Sequence, residues 1–383
     1  MKRMLWIIIA LSILLCAAPV RGQAVELDIQ GKSALLMDVD TGTVLYEKNA
    51  HERLSPASVT KVMTMLLIME AIDSGKIGWD DTVTASEAAA AKGGSQIYLK
   101  VGETMSVSDM VKSIAVSSAN DCACAMAEHL AGSETAFVER MNARAKELGM
   151  NDTTFVNCTG LDDDPGAENH KTSAYDIALM SRELLKNHPD IKKYTTIWMD
   201  TVRNGAFGLS NTNKLIRFYS GATGLKTGFT SGAGYCLSAS AMRDGMELIA
   251  VVMGCETSNI RTAACKSMLD YGFANFALVR PELSQQPEVP VTLGKSTSVK
   301  LQPSNDTGML IDKSQKNSVT TEVTLEESIQ APVSRGQRLG TMSIKAGDQI
   351  LTQVPLVASE GVERLTWGDL FIKVLKRLSM AKG

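Results

Sequence analysis

Tyr235-Cys236-Leu237-Ser238-Ala239-Ser240-Ala241 and Leu248-Ile249-Ala250-Val251-Val252-Met253-Gly254 lie on either side of Asp244-Gly245 and decide the fold. Two short apolar runs around an Asp-Gly pair predict a β-hairpin. A helical pattern follows over about residues 258–276. Near the N-terminus, residues 34–38 and 44–47 flank Asp40-Thr41-Gly42 and predict a second hairpin. Pro56 then opens a helical stretch through Met69, with Gly75 near its end. From Ser106 to Gly149 the pattern is helical three times over. Ser106 with Asp109 resembles a capping box, and Gly132 and Gly149 stop two of the helices. Strands, a block of helices, strands and a closing helix predict an α+β domain: an antiparallel sheet backed by helices, with a helical lobe inserted. After Arg280 the composition changes. Pro281, Pro287 and Pro290 mark a linker, and short alternating runs such as 298–301 and 319–325 predict a small all-β domain at about 285–362. No repeat of fixed period occurs.

The whole chain has 383 residues, 39 Lys+Arg against 42 Asp+Glu, and a formal charge of −3. With 44% hydrophobic and 21% charged residues, a largely disordered chain is excluded. The missing basic excess argues against a nucleic-acid binder. Seven cysteines with no Cys-x-x-Cys pair support neither a disulfide scaffold nor a zinc ribbon, and four histidines make a histidine-dependent mechanism unattractive. Cys122, Cys124, Cys236, Cys255 and Cys265 sit inside apolar patterns and read as buried free thiols, with a disulfide left open.

The two ends carry their own signals. Lys2 and Arg3 precede an apolar run over about residues 5–18, too short for a bilayer and followed by small residues. Residues 1–24 therefore read as a secretory signal peptide, with the mature chain starting near Val25. At the other end, Trp367, Leu370, Phe371, Val374, Leu375 and Leu378 fall within an arc of about 140° on a helix. Asp369, Lys373 and Lys376 oppose them. Residues 365–383 thus read as an amphipathic helix lying on an anionic membrane surface. Each end carries a net +3, which leaves −9 for residues 25–364.

Three short motifs follow one another in this order: Ser58-Val59-Thr60-Lys61, Ser118-Ala119-Asn120 and Lys226-Thr227-Gly228. By average composition such a chain holds about one chance Ser-x-x-Lys, about one Ser-x-Asn and roughly 0.1 Lys-Thr-Gly. Alone, Ser58 could be a helix-start residue, Ser118 and Asn120 could be caps, and Lys226-Thr227-Gly228 a turn. Together they describe nucleophilic chemistry. Ser58 and Lys61 share a helix face one turn apart. A lysine can take a serine proton if burial or a second cation, such as Lys226, lowers its pKa. The helix start also offers free N–H groups to an oxyanion. Ser118 and Asn120 lie between two helices, where a loop aims a hydroxyl and an amide into a cleft. Lys226-Thr227-Gly228 reads as beginning a strand edge: a lysine for a carboxylate, a threonine to hydrogen-bond it, and a glycine that lets a peptide approach. A P-loop is excluded because Leu225 precedes Lys226, and there is no Gly-x-Ser-x-Gly elbow.

Ser-x-x-Lys, Ser-x-Asn and Lys-Thr-Gly are the signature of penicillin-binding proteins and class A β-lactamases. Over almost its whole length the chain resembles the serine D-alanyl-D-alanine carboxypeptidases, the low-molecular-mass penicillin-binding proteins. The likeness runs through Pro56-Ala57-Ser58-Val59-Thr60-Lys61, Ser117-Ser118-Ala119-Asn120-Asp121 and Gly224-Leu225-Lys226-Thr227-Gly228-Phe229-Thr230. Ala331-Pro332-Val333, Gly336-Gln337 and Pro355-Leu356-Val357-Ala358 resemble the family's C-terminal module, and the terminal helix its anchor.

The resemblance implies a β-lactamase/transpeptidase-like catalytic domain over 25–280. It also implies a cofactor-free, metal-free hydrolase that trims terminal D-alanine from peptidoglycan stem pentapeptides at the outer face of the bacterial cytoplasmic membrane. By that likeness Ser58 is the acylated nucleophile, Lys61 its base, and Ser118 a proton relay. Asn120, Lys226, Thr227, Gly228 and Thr230 line the substrate site. Backbone N–H groups of Ser58 and Phe229 form the oxyanion hole, and Arg261 assists the carboxylate. β-Lactam antibiotics should acylate Ser58. Phe229 stands where some members carry histidine, but only its backbone is needed. Two other readings stand beside this one. A class A β-lactamase would need a Glu-x-x-Leu-Asn, which is absent, and an inactive cell-wall-binding scaffold would not need Ser58 paired with Lys61.

Overall fold

A computed structural model describes residues 27–280, 283, 285–304 and 308–372. The predicted hairpins form β1 (Ser33–Asp38) with β2 (Val44–Lys48), and β4 (Gly234–Arg243) with β5 (Met246–Cys255). Between β4 and β5, Asp244 and Gly245 both take positive φ, the backbone of a tight primed turn. With β3 (Ala222–Thr230) they build one antiparallel sheet in the order β2-β1-β5-β4-β3, so β3 is an edge.

Both faces of this sheet are covered, which is why β5 reads as an unbroken apolar run. Its Ile249, Val251 and Met253 join the core shared with the helical lobe. Leu248, Ala250 and Val252 instead pack toward α6 (Ser258–Asn275), through Cys265, Met268 and Leu269. The lobe holds α1 (Lys61–Asp73), α2 (Val107–Ser117), α3 (Asn120–Ala131), α4 (Glu134–Glu147) and α5 (Ala174–Asn187). Helix α1 is apolar nearly all round because it is buried nearly all round, from Val62 to Met69. The Ser106 hydroxyl caps α2 by accepting from Asp109 N–H at 3.1 Å. The Asp109 carboxylate pairs with Lys112, so only half of the predicted capping box forms.

The second region holds a six-stranded sheet made of β7 (Glu288–Thr292), β8 (Ser298–Pro303), β10 (Val319–Leu325), β11 (Ile329–Gln330), β12 (Arg338–Ala346) and β13 (Gln349–Ala358). Its order is β10-β12-β13-β8-β7-β11, around a core that includes Val289, Leu301, Met342 and Leu356. The two regions are stitched by β6 (Phe276–Val279) pairing with β9 (Met309–Asp312), and by Asp40, which takes Arg280 at 2.6 Å and Gly308 N–H at 3.3 Å.

Among the described residues no helix is long and apolar enough to cross a membrane. The predicted signal segment, 1–24, lies outside the described residues. So does the tail beyond 372. The start of the terminal helix is described, capped by Thr366 and Asp369, and its Trp367 ring is 88% exposed.

Candidate active site

Ser58 stands on a short 3₁₀ turn, Ala57–Thr60, that runs straight into α1. The predicted spacing holds: Lys61 Nζ donates to Ser58 Oγ at 2.9 Å. It also donates to the Thr159 carbonyl at 2.8 Å, a partner 98 residues away that no local pattern could reveal. Lys61 is fully buried, and that burial pushes its pKa down to about 7, against a smaller upward pull from Cys158 and Asp121. A buried lysine with two uncharged acceptors keeps little reason to stay protonated, so it suits the task of taking the Ser58 proton.

Ser118 closes α2 in the left-handed conformation at φ 63°, and Asn120 opens α3 directly after it. Asn120 Nδ2 donates to Gly93 O at 2.7 Å, while its own N–H reaches Ser95 O at 2.7 Å. Its Oδ1 is buried without a partner, an acceptor left open to a donor. The next residue does unexpected work. Asp121 Oδ2 accepts N–H bonds from Ile97 at 3.1 Å and Leu99 at 3.0 Å, and Arg203 donates to Ile97 O at 2.7 Å. Segment 93–99 is thereby held against the Ser118–Asn120 junction.

Lys226-Thr227-Gly228 does lie on a sheet edge, but in the body of β3 rather than at its beginning. The strand starts four residues earlier, at Ala222, with Lys226 opposite Ser238 and Gly228 opposite Cys236. A polar sequence there hid a strand whose alternation is blurred because it is buried on both faces. Lys226 is buried, and its Nζ donates to Thr227 O at 2.9 Å. Burial, then the charges of Lys61 and Arg261, push its pKa well below the ordinary lysine value. Thr227 Oγ1 shares a 2.6 Å hydrogen bond with Thr212 Oγ1. Gly228 is required by contact: a Cβ there would sit 2.6 Å from Pro56 O and 3.1 Å from Ser58 N. The strand edge and the serine turn therefore touch main chain to main chain. Thr230 Oγ1 accepts from Ala233 N–H at 3.1 Å, turning the chain into β4, and the Phe229 ring lies 53% exposed, 4.2 Å from Tyr235.

Arg261 reaches the same strands from α6. Its Nη1 donates to Gly228 O at 3.3 Å and Cys236 O at 3.4 Å, its Nη2 to Ser258 Oγ at 3.1 Å, and its Nε is buried without a partner. Here the guanidinium braces the backbone of β3 and β4. All six described cysteines, Cys158 included, are buried free thiols. Glu70, Glu183 and His188 come close enough to suggest a metal site, but Arg144 bridges both carboxylates, at 2.7 and 2.6 Å, and His188 binds Asp73. That cluster is already neutralised.

Residues 20–257 match the D-alanyl-D-alanine carboxypeptidase family. The chain belongs to this family. Residues 284–364 match the C-terminal domain of penicillin-binding protein 5. The chain is 45% identical over 358 residues to the D-alanyl-D-alanine carboxypeptidase DacF of Bacillus subtilis, covering 92% of this chain and 90% of the relative. Its structure is similar to penicillin-binding protein 5 from Haemophilus influenzae, with a TM-score of 0.74 and 32% identity over 88% of this chain and 99% of the other. It is also similar to penicillin-binding protein D2 from Listeria monocytogenes in the ampicillin-bound form, with a TM-score of 0.59 and 33% identity over 64% of this chain and 99% of the other. The enzyme is a serine-type D-alanyl-D-alanine carboxypeptidase, a cell-wall hydrolase.

Proposed function

We propose that Ser58 is the acylated nucleophile of this carboxypeptidase and Lys61 its general base. The 2.9 Å contact between a serine and a fully buried lysine whose pKa falls to about 7 carries the reading. Ser58 Oγ attacks the carbonyl of the penultimate D-alanine and passes its proton to Lys61. Backbone N–H groups of Ser58 and Phe229 hold the developing oxyanion. The C–N bond then breaks, and D-alanine leaves with a proton relayed through Ser118. Water next cleaves the Ser58 ester and frees the tetrapeptide.

Asn120 Oδ1 accepts from the stem peptide, and Lys226 with Thr227 takes its terminal carboxylate. A bound carboxylate would restore the Lys226 charge that burial opposes. Gly228 and Thr230 shape the strand along which the peptide lies, and Arg261 supports the carboxylate end by bracing that strand. A β-lactam mimics the D-alanyl-D-alanine end and would acylate Ser58 in the same way. In this reading residues 1–24 direct export, 25–280 form the catalytic domain and 285–362 the β domain. Residues 365–383 rest on the anionic outer surface of the cytoplasmic membrane. Exposed Trp367, Phe371 and Ile372 support that last point.

The test is D-alanine release from a stem pentapeptide. Ser58→Ala should abolish both release and labelling by a fluorescent penicillin; unchanged release would sink the assignment. Deleting residues 365–383 should move the protein from membrane to soluble fraction on sedimentation, and a truncated protein that still pellets with membrane would refute the anchor.

A further inference from the structure

His170 takes no part in the chemistry above, yet it is buried and bonds both to the turn that carries Ser58 and to the segment that receives Lys61. Its Nε2 lies 2.8 Å from Thr60 Oγ1. The Thr60 hydroxyl has one proton and donates it to Ala57 O at 2.8 Å. It must therefore accept from His170, which fixes the tautomer with the proton on Nε2. The other nitrogen, Nδ1, is then an acceptor, and Val156 N–H meets it at 3.2 Å. One neutral imidazole thus joins two backbone segments that are distant in sequence.

One segment leads directly into Lys61, and the other supplies the carbonyl that holds the Lys61 ammonium. The first is the turn Ala57–Thr60, which holds Ser58 and begins with Ala57 at φ 49°, an unfavourable conformation for a residue with a Cβ. Such a turn persists only where its surroundings hold it. The second runs from Val156 to Gly160 and contains Thr159, whose carbonyl receives Lys61. The two segments meet so closely that a Cβ on Gly160 would lie 1.9 Å from Ala57 O and 2.7 Å from Thr60 Oγ1. The ring is further fixed edge-on to Phe155, at 5.7 Å between centroids. Burial keeps it neutral by pushing its pKa down to about 4, with Lys171 and Lys61 acting in the same direction.

We propose that His170 is a positioning residue for acylation: its two ring nitrogens clamp the Ser58 turn to the segment that receives Lys61, and so set the nucleophile–base contact. This inference rests on Ser58 being the nucleophile. It concerns rate rather than stability, because a misplaced serine hydroxyl lowers the chance of attack without emptying the binding cleft.

Acylation by a fluorescent penicillin separates the two, since its rate constant reports geometry and its final amplitude reports the folded fraction. His170→Phe keeps a ring but loses both hydrogen bonds, and should lower the rate constant at saturation by about tenfold or more at unchanged amplitude. His170→Gln offers a donor and an acceptor and should restore most of that rate. Thr60→Val breaks the same link at its other end, and the double variant should be no slower than the slower single.

A wild-type rate in His170→Phe overturns the clamp, and so does a His170→Gln as slow as His170→Phe. So does a loss confined to amplitude. If His170→Phe fails to fold, a Thr60→Val of wild-type rate overturns it by itself. Labelling that persists in Ser58→Ala overturns the nucleophile assignment and the clamp with it, whereas a slow His170→Gln with Ser58 labelling intact overturns the clamp alone.

Discussion

Lys61 and Lys92 both lose water on folding, and the two end in opposite states. Lys61 meets a hydroxyl and a carbonyl, and burial pushes its pKa down to about 7. Burial also works against the charge of Lys92, but the carboxylates of Glu134, at 2.8 Å, and Asp164, at 3.3 Å, outweigh it and raise its pKa. The two environments are back to back. Glu134 Oε1 accepts from Cys158 N–H and from the Cys158 thiol, both at 3.1 Å, and the next residue supplies the carbonyl that holds Lys61. One segment is thus tied at its outer side by an ion cluster and presents only uncharged groups at its inner side. The lesson is that depth alone does not fix a lysine's protonation; the charge of its acceptors does.

The contrast can be broken in three ways. The largest effect should come from Lys61→Met, which removes the base and should slow acylation by about 10²–10⁴-fold in a fluorescent-penicillin assay. A wild-type rate would make Lys61 a structural lysine like Lys92. Next comes pH. Lys61 must be neutral to accept a proton, so acylation should rise as pH passes through about 7. Well below that value it should fall by about tenfold per pH unit, as the protonated fraction takes over. A flat profile from pH 5 to 8 would remove the lysine from the base role. The smallest effect is assigned to Glu134→Gln. It should cost about 1–3 kcal/mol in thermal unfolding, by unpairing Lys92 and weakening the hold on Cys158. The folded fraction should still acylate far faster than Lys61→Met; equal impairment would mean that the two lysines share one function.

The sequence made part of this legible. Ser58 and Lys61 announce themselves because three residues are one helical turn, and the Asp244-Gly245 hairpin because its turn chemistry is local. Lys226-Thr227-Gly228 was readable as a motif, but its place inside β3 was not, since both faces of that strand are buried and polar residues occupy inward positions. Thr159, His170 and Thr212 escaped altogether, and Asp121 stood only inside the segment that carries the resemblance, with no role of its own. Thr159 contributes only a carbonyl, which every residue has. His170 lies 110 positions from Thr60, and one histidine among four gave no reason to single it out.

What the sequence determined by itself was the inventory: two serines, two lysines and an asparagine in family order, set on elements whose local periodicity could be read. Interactions within one turn or hairpin need no tertiary contact, so they are written in neighbouring residues. Only the tertiary structure decided the charge of those lysines and the aim of that serine. Both depend on what lies against them in space: the carbonyl at Thr159, the imidazole at His170, and the bare main chain at Gly160 and Gly228. Desolvation and close approach are properties of the packed interior, and the fold assembles that interior from segments some hundred residues apart.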